Sequence, residues 1–275
     1  AQYAMHDYNY RGSYYYKGNS LEQTRSCTET RTETLRDQFT AYLNFDRTFK
    51  RHQIGVTAGY DYMAERYRYL TANSTYAPSD KVPVLQSGGN FTASNKDTKE
   101  VLISYFGRVN YNFDKRYILS FTARADGSSK FLKDNRWAYF PSASAAWGFG
   151  EEKFVKNVKW ISSGKLRAGI GTTGNNRVTD YAALTALQIT ADSGYSTGNT
   201  PGKGVVPKTL GNPKLKWETT VQTNIGLDMS FFDNRISLTA DYYYKKTKDL
   251  LLNATLAPSM GFLSAYRNVG SVSNS

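Results

Sequence analysis

Between Trp217 and Tyr244 the chain alternates, residue by residue, between apolar and polar side chains. Trp217, Thr219, Val221, Thr223, Ile225, Leu227, Met229 and Phe231 fall on one side. Glu218, Thr220, Gln222, Asn224, Gly226, Asp228 and Ser230 fall on the other. Successive strand residues point to opposite faces, so this spacing predicts a strand with one oily and one wet face. Asp233-Asn234 supply a tight turn. A second strand then sets Ile236, Leu238, Ala240, Tyr242 and Tyr244 against Arg235, Ser237, Thr239, Asp241 and Lys245. Each strand runs to roughly fifteen residues, against a usual mode of about five or six. Long antiparallel strands with aromatics near their ends are what an outer-membrane barrel requires.

Composition agrees. Hydrophobic residues make up 40% of the 275, yet no run approaches the roughly 18 apolar residues of a spanning helix, so helical insertion is excluded. Barrel strands escape that test because half their residues face water. The 22 tyrosines and 14 phenylalanines suit interfacial girdles, where a ring has one wet and one oily end. The net charge of +12 reads either as scattered solvated Lys and Arg or as a rim that attracts anions, lipopolysaccharide phosphates included. Nucleic acid is not expected as a partner, because no basic run is interleaved with a stacking platform. Cys27 is the only cysteine, so the chain holds no internal disulfide.

Taken in order, strands are expected at Tyr3 to Lys17, after Thr28 to Phe49, from Ile54 to about Tyr69, and at Val101 to Phe113. Further strands are expected at Tyr117 to Asp126, Ala138 to Gly148 and Lys165 to Thr173, before the hairpin above and a partial strand from Tyr266; the return strand from Ile54 is marked by Val56, Ala58, Tyr60 and Tyr62 on its oily side. Gly18 to Thr28, Leu70 to Asn95 (with Pro78 and Pro83), Gly127 to Arg136, Gly174 to Lys216 and Asn253 to Ala265 read as loops. Glu151 to Trp160 reads as a short helix with Phe154, Val155 and Val158 packing inward and Glu151-Glu152 at its N-terminus. Long and short connections alternate, which places every long loop on one side. Barrels have short periplasmic turns and long extracellular loops, so Asp233-Asn234 faces the periplasm.

The runs LGNPKLKWETT, NIGLD, FFDNRISLTADYY, KKTKDLLL and RNVG resemble the C-terminal half of a SusC/RagA-type TonB-dependent transporter barrel. YILSFTARADGSSKF, AYFPSASAAWGFGEEKF and KLRAGIGTTGNN do so too, in family order over about residues 97 to 275. The fold class expected is all-β: an antiparallel transmembrane barrel in the bacterial outer membrane, about ten strands of the family's roughly 22. An open half-sheet would leave edge groups unsatisfied in lipid. Residues 1–275 are therefore expected to be a partial barrel domain, lacking the plug, TonB box and N-terminal domain. By the same resemblance the whole protein imports nutrients, glycans or peptides. A SusD-like surface lipoprotein serves as lid, and TonB–ExbB–ExbD acts through the plug. The alternatives are a structural subunit of a larger outer-membrane assembly or secretion complex and, less favoured, a soluble surface adhesin.

No residues point to catalysis or to a cofactor. Gly169, Gly171 and Gly174 fit the dinucleotide spacing G-x-G-x-x-G, but a polar loop follows where the mechanism needs a helix. His6 and His52 have no partner at metal-ligand spacing. No nucleophile motif occurs. The sequons at Asn73, Asn90 and Asn253 carry little in a bacterial protein. The candidate contacts for substrate or partner are Tyr76, Trp137, Tyr181 and Tyr195, aromatics in or beside the outer loops. Girdle or loop packing is the competing reading for all four.

Overall fold

In the computed structural model the backbone is described for residues 2–17, 20–76, 84–158, 160–197 and 200–275, and side chains for 26–76, 84–86, 88–158, 160–189 and 204–275. The strands are β1 (Gln2–Lys17), β2 (Ser20–Phe49), β3 (His52–Thr75), β4 (Asn90–Phe113), β5 (Tyr117–Ser128), β6 (Trp137–Trp147) and β7 (Ile161–Asn175). They continue with β8 (Leu187–Thr197), β9 (Thr200–Pro207), β10 (Glu218–Phe231), β11 (Ile236–Lys248), β12 (Leu251–Thr255), β13 (Ser264–Asn268) and β14 (Ser271–Asn274). Ten of them form one antiparallel sheet in the order β1-β2-β3-β4-β5-β6-β7-β10-β11-β14, while β8-β9 and β12-β13 are separate hairpins. Each strand of the large sheet thus pairs with its neighbour in sequence once the two hairpins are set aside. This is the meander expected from the alternation.

The chain divides into two compact units, Ala1–Phe39 with Met63–Val101, and Thr40–Tyr62 with Leu102–Ser275. The first is longer in strand than the sequence suggested. β1 and β2 pair from Gln2↔Leu35 to Lys17↔Ser20, so most of the stretch expected as a loop at 18–28 is strand. β3 runs on to Thr75 and β4 starts at Asn90, which shortens the loop expected at 70–95. Polar side chains hold these extensions together. Thr28 donates to Asn73 at 2.8 Å, Thr30 and Thr71 bond at 3.1 Å, and Arg66 pairs with Asp97 at 2.6 Å. Such segments satisfy themselves in water and need no apolar face, so alternation could not reveal them. Pro78, Pro83 and the side chain of His6 lie outside the described residues.

In the second unit the pleat sorts side chains as predicted. Register links Tyr111, Leu119, Ala145, Ala168, Ile225 and Tyr242 across six strands. Next to it runs the row Val109, Phe121, Ala143, Ile170, Thr223, Tyr244. On the opposite face the rows are Asn110, Ser120, Ser144, Gly169, Asn224, Tyr243 and Arg108, Thr122, Ser142, Gly171, Gln222, Lys245. In β2 and β3, Thr40 donates to Asp61 at 2.5 Å and Thr57 to Asn44 at 2.7 Å, both on the polar face.

Aromatic rings gather at both margins of the apolar face. Tyr105 stacks on Trp137 with centroids 5.9 Å apart and meets Tyr60 at 5.3 Å. At the other margin Phe113 stacks on Tyr117 at 6.3 Å, and Trp160 on Phe231 at 5.7 Å. Tyr105 and Phe113 in β4, like Tyr139 and Trp147 in β6, stand eight residues apart. That is roughly 27 Å along a strand at about 3.4 Å per residue. A tilt of about 35–45° brings the height to roughly 20 Å, close to the apolar band of about 25 Å in outer-membrane barrels.

The short turns lie along one rim, tied to each other by backbone bonds. The amide of Asp114 donates to Arg51, that of Gly148 to Arg116, and that of Phe232 to Trp160, at 2.7–3.0 Å. The turn at Asp233-Asn234 has Phe232, Asp233 and Asn234 in the left-handed region, at φ 52°, 54° and 64°, which Asp and Asn tolerate best. The predicted helix at 151–160 contracts to a 3₁₀ turn, Phe149–Glu151, and one helical turn, α1 (Lys153–Lys156). Val155 is buried, but Phe154 is 64% exposed, so the expected inward packing of Phe154 is corrected. Glu152 makes no capping bond; its carboxylate accepts from Tyr117 at 3.0 Å and from the Trp147 indole at 3.4 Å, and faces Arg116 at 3.5 Å. Two of the expected loops hold hairpins, β8-β9 within 174–216 and β12-β13 around 253–265.

Candidate functional site

The polar face carries a shallow groove of about 360 Å3 lined by Arg108, Ser120, Thr122, Ser142, Ser144, Gln222 and Asn224. Several of its groups are engaged laterally: Ser120 donates to Asn110 at 2.7 Å and Gln222 to Asn224 at 2.9 Å. Such a wall presents neutral hydroxyls and amides in place. It can exchange hydrogen bonds with a passing polar solute without ordering long side chains, an ordering that costs up to about 2 kcal/mol each.

Towards the turn rim the same face carries charge. Arg167 grips Asp228 with two bonds, at 2.7 and 3.0 Å, and reaches Asp241 at 3.0 Å. The bidentate fork is the geometry a guanidinium offers a carboxylate. Gly226 lies between Arg167 and Asp241 in the register. A Cβ there would collide with the Asp241 carboxylate and fall 2.8 Å from the guanidinium carbon. Gly226→Ala is therefore expected to push Arg167 off Asp241 while the fork to Asp228 persists. The pair is solvated, so the expected cost is below about 1 kcal/mol, read as a small shift in a urea unfolding midpoint.

The outer margin is built differently. Phe131, Phe140, Val178, Ala183, Leu215, Trp217 and Leu251 form a buried cluster, with Leu102 and Ala138 packed against it. Leu102, Ala138 and Phe140 occupy polar-face positions of β4 and β6, so the loops that supply the other members fold over that face. Trp217 was expected on the apolar wall of β10. Pairing begins only at Glu218, and the Trp217 indole turns inward, donating to the Arg136 carbonyl at 2.9 Å and meeting Phe131 and Phe140 at 5.5 and 5.6 Å. A Cβ at Gly174 would collide with the Phe140 ring. The ladder between β6 and β7 stops at Ser142↔Gly171, next to Pro141, which has no amide to donate.

The asparagines of the quoted runs tie the loops down. Asn212 donates to Tyr266 O at 2.9 Å, and Asn268 to Lys216 O at 2.8 Å and Asp249 O at 2.9 Å. Asn175 donates to Glu218 at 3.1 Å, and Asn176 to Ser128 at 3.1 Å. Sequence reasoning treated these residues only as signatures. The signal available was their type, since Asn bonds backbone where no ladder exists.

The four candidate aromatics are not brought together. Trp137 sits on the apolar face over Gly127, in the outer ring of aromatics. Tyr181 lies in the loop between the buried Val178 and Ala183, exposed and left-handed at φ 62°. Tyr76 directly follows β3, exposed, with φ 63°. Tyr195 falls in β8, and its ring lies outside the described residues. Gly169 and Gly171 sit mid-strand in β7 opposite Ser144 and Ser142, with no helix to receive a phosphate. His52 bonds the Tyr111 hydroxyl at 2.8 Å on the turn rim. In the connection after β6, the α1 residue Lys156, its ammonium 2.8 Å away, holds the Glu151 carboxyl below its ordinary pKa. Among the described residues no three His, Cys, Asp or Glu side chains come together as a metal site.

The family model described as "TonB dependent receptor-like, beta-barrel" matches residues 1–275. TonB-dependent receptor P3 of Formosa agariphila is 36% identical over 261 residues, 94% of this chain and 25% of that protein. TonB-dependent receptor SusC of Bacteroides thetaiotaomicron is 41% identical over 180 residues, 64% of this chain and 18% of that one. Among solved structures, the RagAB peptide transporter superposes with a TM-score of 0.78 at 30% identity, covering 90% of this chain and 27% of that one. The chain thus spans about a quarter or less of the length of these relatives. Two-faced meander, paired aromatic rings and sequence agree: the chain belongs to the TonB-dependent receptor-like β-barrel family of the bacterial outer membrane, whose members are receptors and transporters.

Proposed function

We propose that the whole protein is a TonB-dependent importer that carries a peptide or glycan fragment across the outer membrane. The observation that carries the reading is the sheet's division into an apolar face between two aromatic rings and a hydroxyl-and-amide face roofed at its outer end by folded loops. Likeness to SusC and to the RagAB peptide transporter supports it. In this reading the plug and TonB contact come from polypeptide outside residues 1–275, and a SusD-like lipoprotein closes over the outer loops. Tyr181 is the retained candidate for solute contact, because its exposed ring is held on a loop anchored on both sides; Trp137 becomes a membrane-girdle residue.

The test is purification of the native protein followed by mass spectrometry of its companions, with uptake of labelled peptides and oligosaccharides in a deletion strain. A co-purifying SusD-like lipoprotein and loss of one solute class support import. Secretion or assembly subunits with unchanged uptake would sink it in favour of a scaffold. Tyr181→Ala is expected to lower uptake several-fold without changing the amount of protein in the membrane.

A further inference from the structure

The connection from β6 to β7, residues 148–160, is the long one on the rim of short turns; its neighbours there are 50–51, 114–116 and 232–235. Its extra length is folded to one side. The Phe149 ring covers Gly164, where any Cβ would collide with it. Gly164 pairs with Met229, an apolar-face position. Phe149 also meets the apolar-face Trp147 edge-on at 5.8 Å. Glu152 accepts from Tyr117 and Trp147, both on that face. At the far end Trp160 stacks on Phe231 with an interplanar angle of 14°. The segment therefore lies against the lipid-facing side of the sheet.

What it shows outward is amphipathic. Phe154 and Trp160 are exposed, as is Phe232 on the adjoining turn. Lys153, Lys156 and Lys115 are exposed beside them. Lys156 is paired with Glu151. Large apolar rings next to ammonium groups, continuous with an aromatic belt, are what a segment at a headgroup boundary presents.

We propose that residues 148–158, together with Trp160, are an interfacial anchor that binds phospholipid in the periplasmic leaflet, with Phe154 and Trp160 at the acyl boundary and Lys153 and Lys115 on lipid phosphates. The occupant is lipid because the segment continues the aromatic belt of the membrane face and carries charge complementary to phosphate.

The test uses the full-length protein in vesicles of phosphatidylethanolamine and phosphatidylglycerol. A nitroxide is attached at Phe154→Cys in a cysteine-free background, or at Asn157→Cys if the first variant fails to fold, with a reference label at Asn234→Cys. The ratio of oxygen to water-soluble nickel accessibility is expected to be several-fold higher at the anchor than at the reference. Lys115→Glu with Lys153→Glu is expected to lower it at least twofold. A ratio equal to the reference overturns the anchor, and shielding from both reagents overturns it in favour of a protein partner. A ratio unmoved by the double charge reversal overturns the phosphate contact.

Discussion

Ile170→Arg destabilises the folded protein by about 2–4 kcal/mol, whereas Asn224→Arg, one strand away, changes stability by less than about 1 kcal/mol. Ile170 belongs to the apolar row halfway between the two aromatic rings and is exposed in the isolated chain. Its neighbour there is hydrocarbon, which offers a guanidinium no hydrogen bonds. Penalties on a barrel's lipid face peak at the bilayer midplane and fade near its edges. Asn224 is the residue after Ile170's β10 partner, Thr223, and points into the polar groove, where a longer cation stays hydrated. The measurement is urea-induced unfolding in lipid vesicles, followed by the gel mobility difference between folded and heated barrel. Equal penalties at the two positions would mean that the faces have been assigned wrongly.

The second large effect comes from the outer loops. Trp217→Ala is expected to cost about 3–5 kcal/mol, the usual range for deleting a buried tryptophan. The comparison with the barrel wall decides why. Apolar residues on the wall leave water for hydrocarbon and gain little from packing on other side chains. The Trp217 cluster lies among loops that meet water when undone, so the full transfer term of roughly 25 cal/mol per Å2 applies. The indole bond to Arg136 O adds about 0.5–1.5 kcal/mol. Trp217→Phe retains the ring contacts with Phe131 and Phe140 and should lose only about 1 kcal/mol. Limited proteolysis separates the outcomes: the alanine variant is cut within 176–216 while the strands of the large sheet stay protected, and the phenylalanine variant is not. Cleavage spread evenly over the chain would show that Trp217 supports the strands rather than the loops.

What the sequence made legible follows from where each residue finds its partner. Along β10 and β11 each side chain meets either lipid or water, so Val221 through Tyr244 alternate and reveal strand, face and turn together. Thr28, Asn73 and Thr71 find partners on neighbouring strands instead, and nothing local distinguishes their segments from loop. Trp217 follows the alternation for one residue too many, because the acceptor that turns its indole inward is the carbonyl of Arg136, far off in sequence. The helix at 151–160 has the right apolar spacing, but Phe149 over Gly164 and Glu152 under Tyr117 commit the backbone before a second turn can form. Of the candidate aromatics, Trp137 and Tyr181 each stand between a charged residue and an alanine, and only the pleat separates a membrane-facing ring from a loop ring.

The backbone bonds linking Arg51 to Asp114, Arg116 to Gly148 and Trp160 to Phe232 have one further consequence. A strand that slid by a single position would exchange its two sides, and these ties make the alignment of each hairpin on that rim depend on the hairpin beside it. Errors in stagger cannot stay local, so the hem of the sheet proofreads the whole weave.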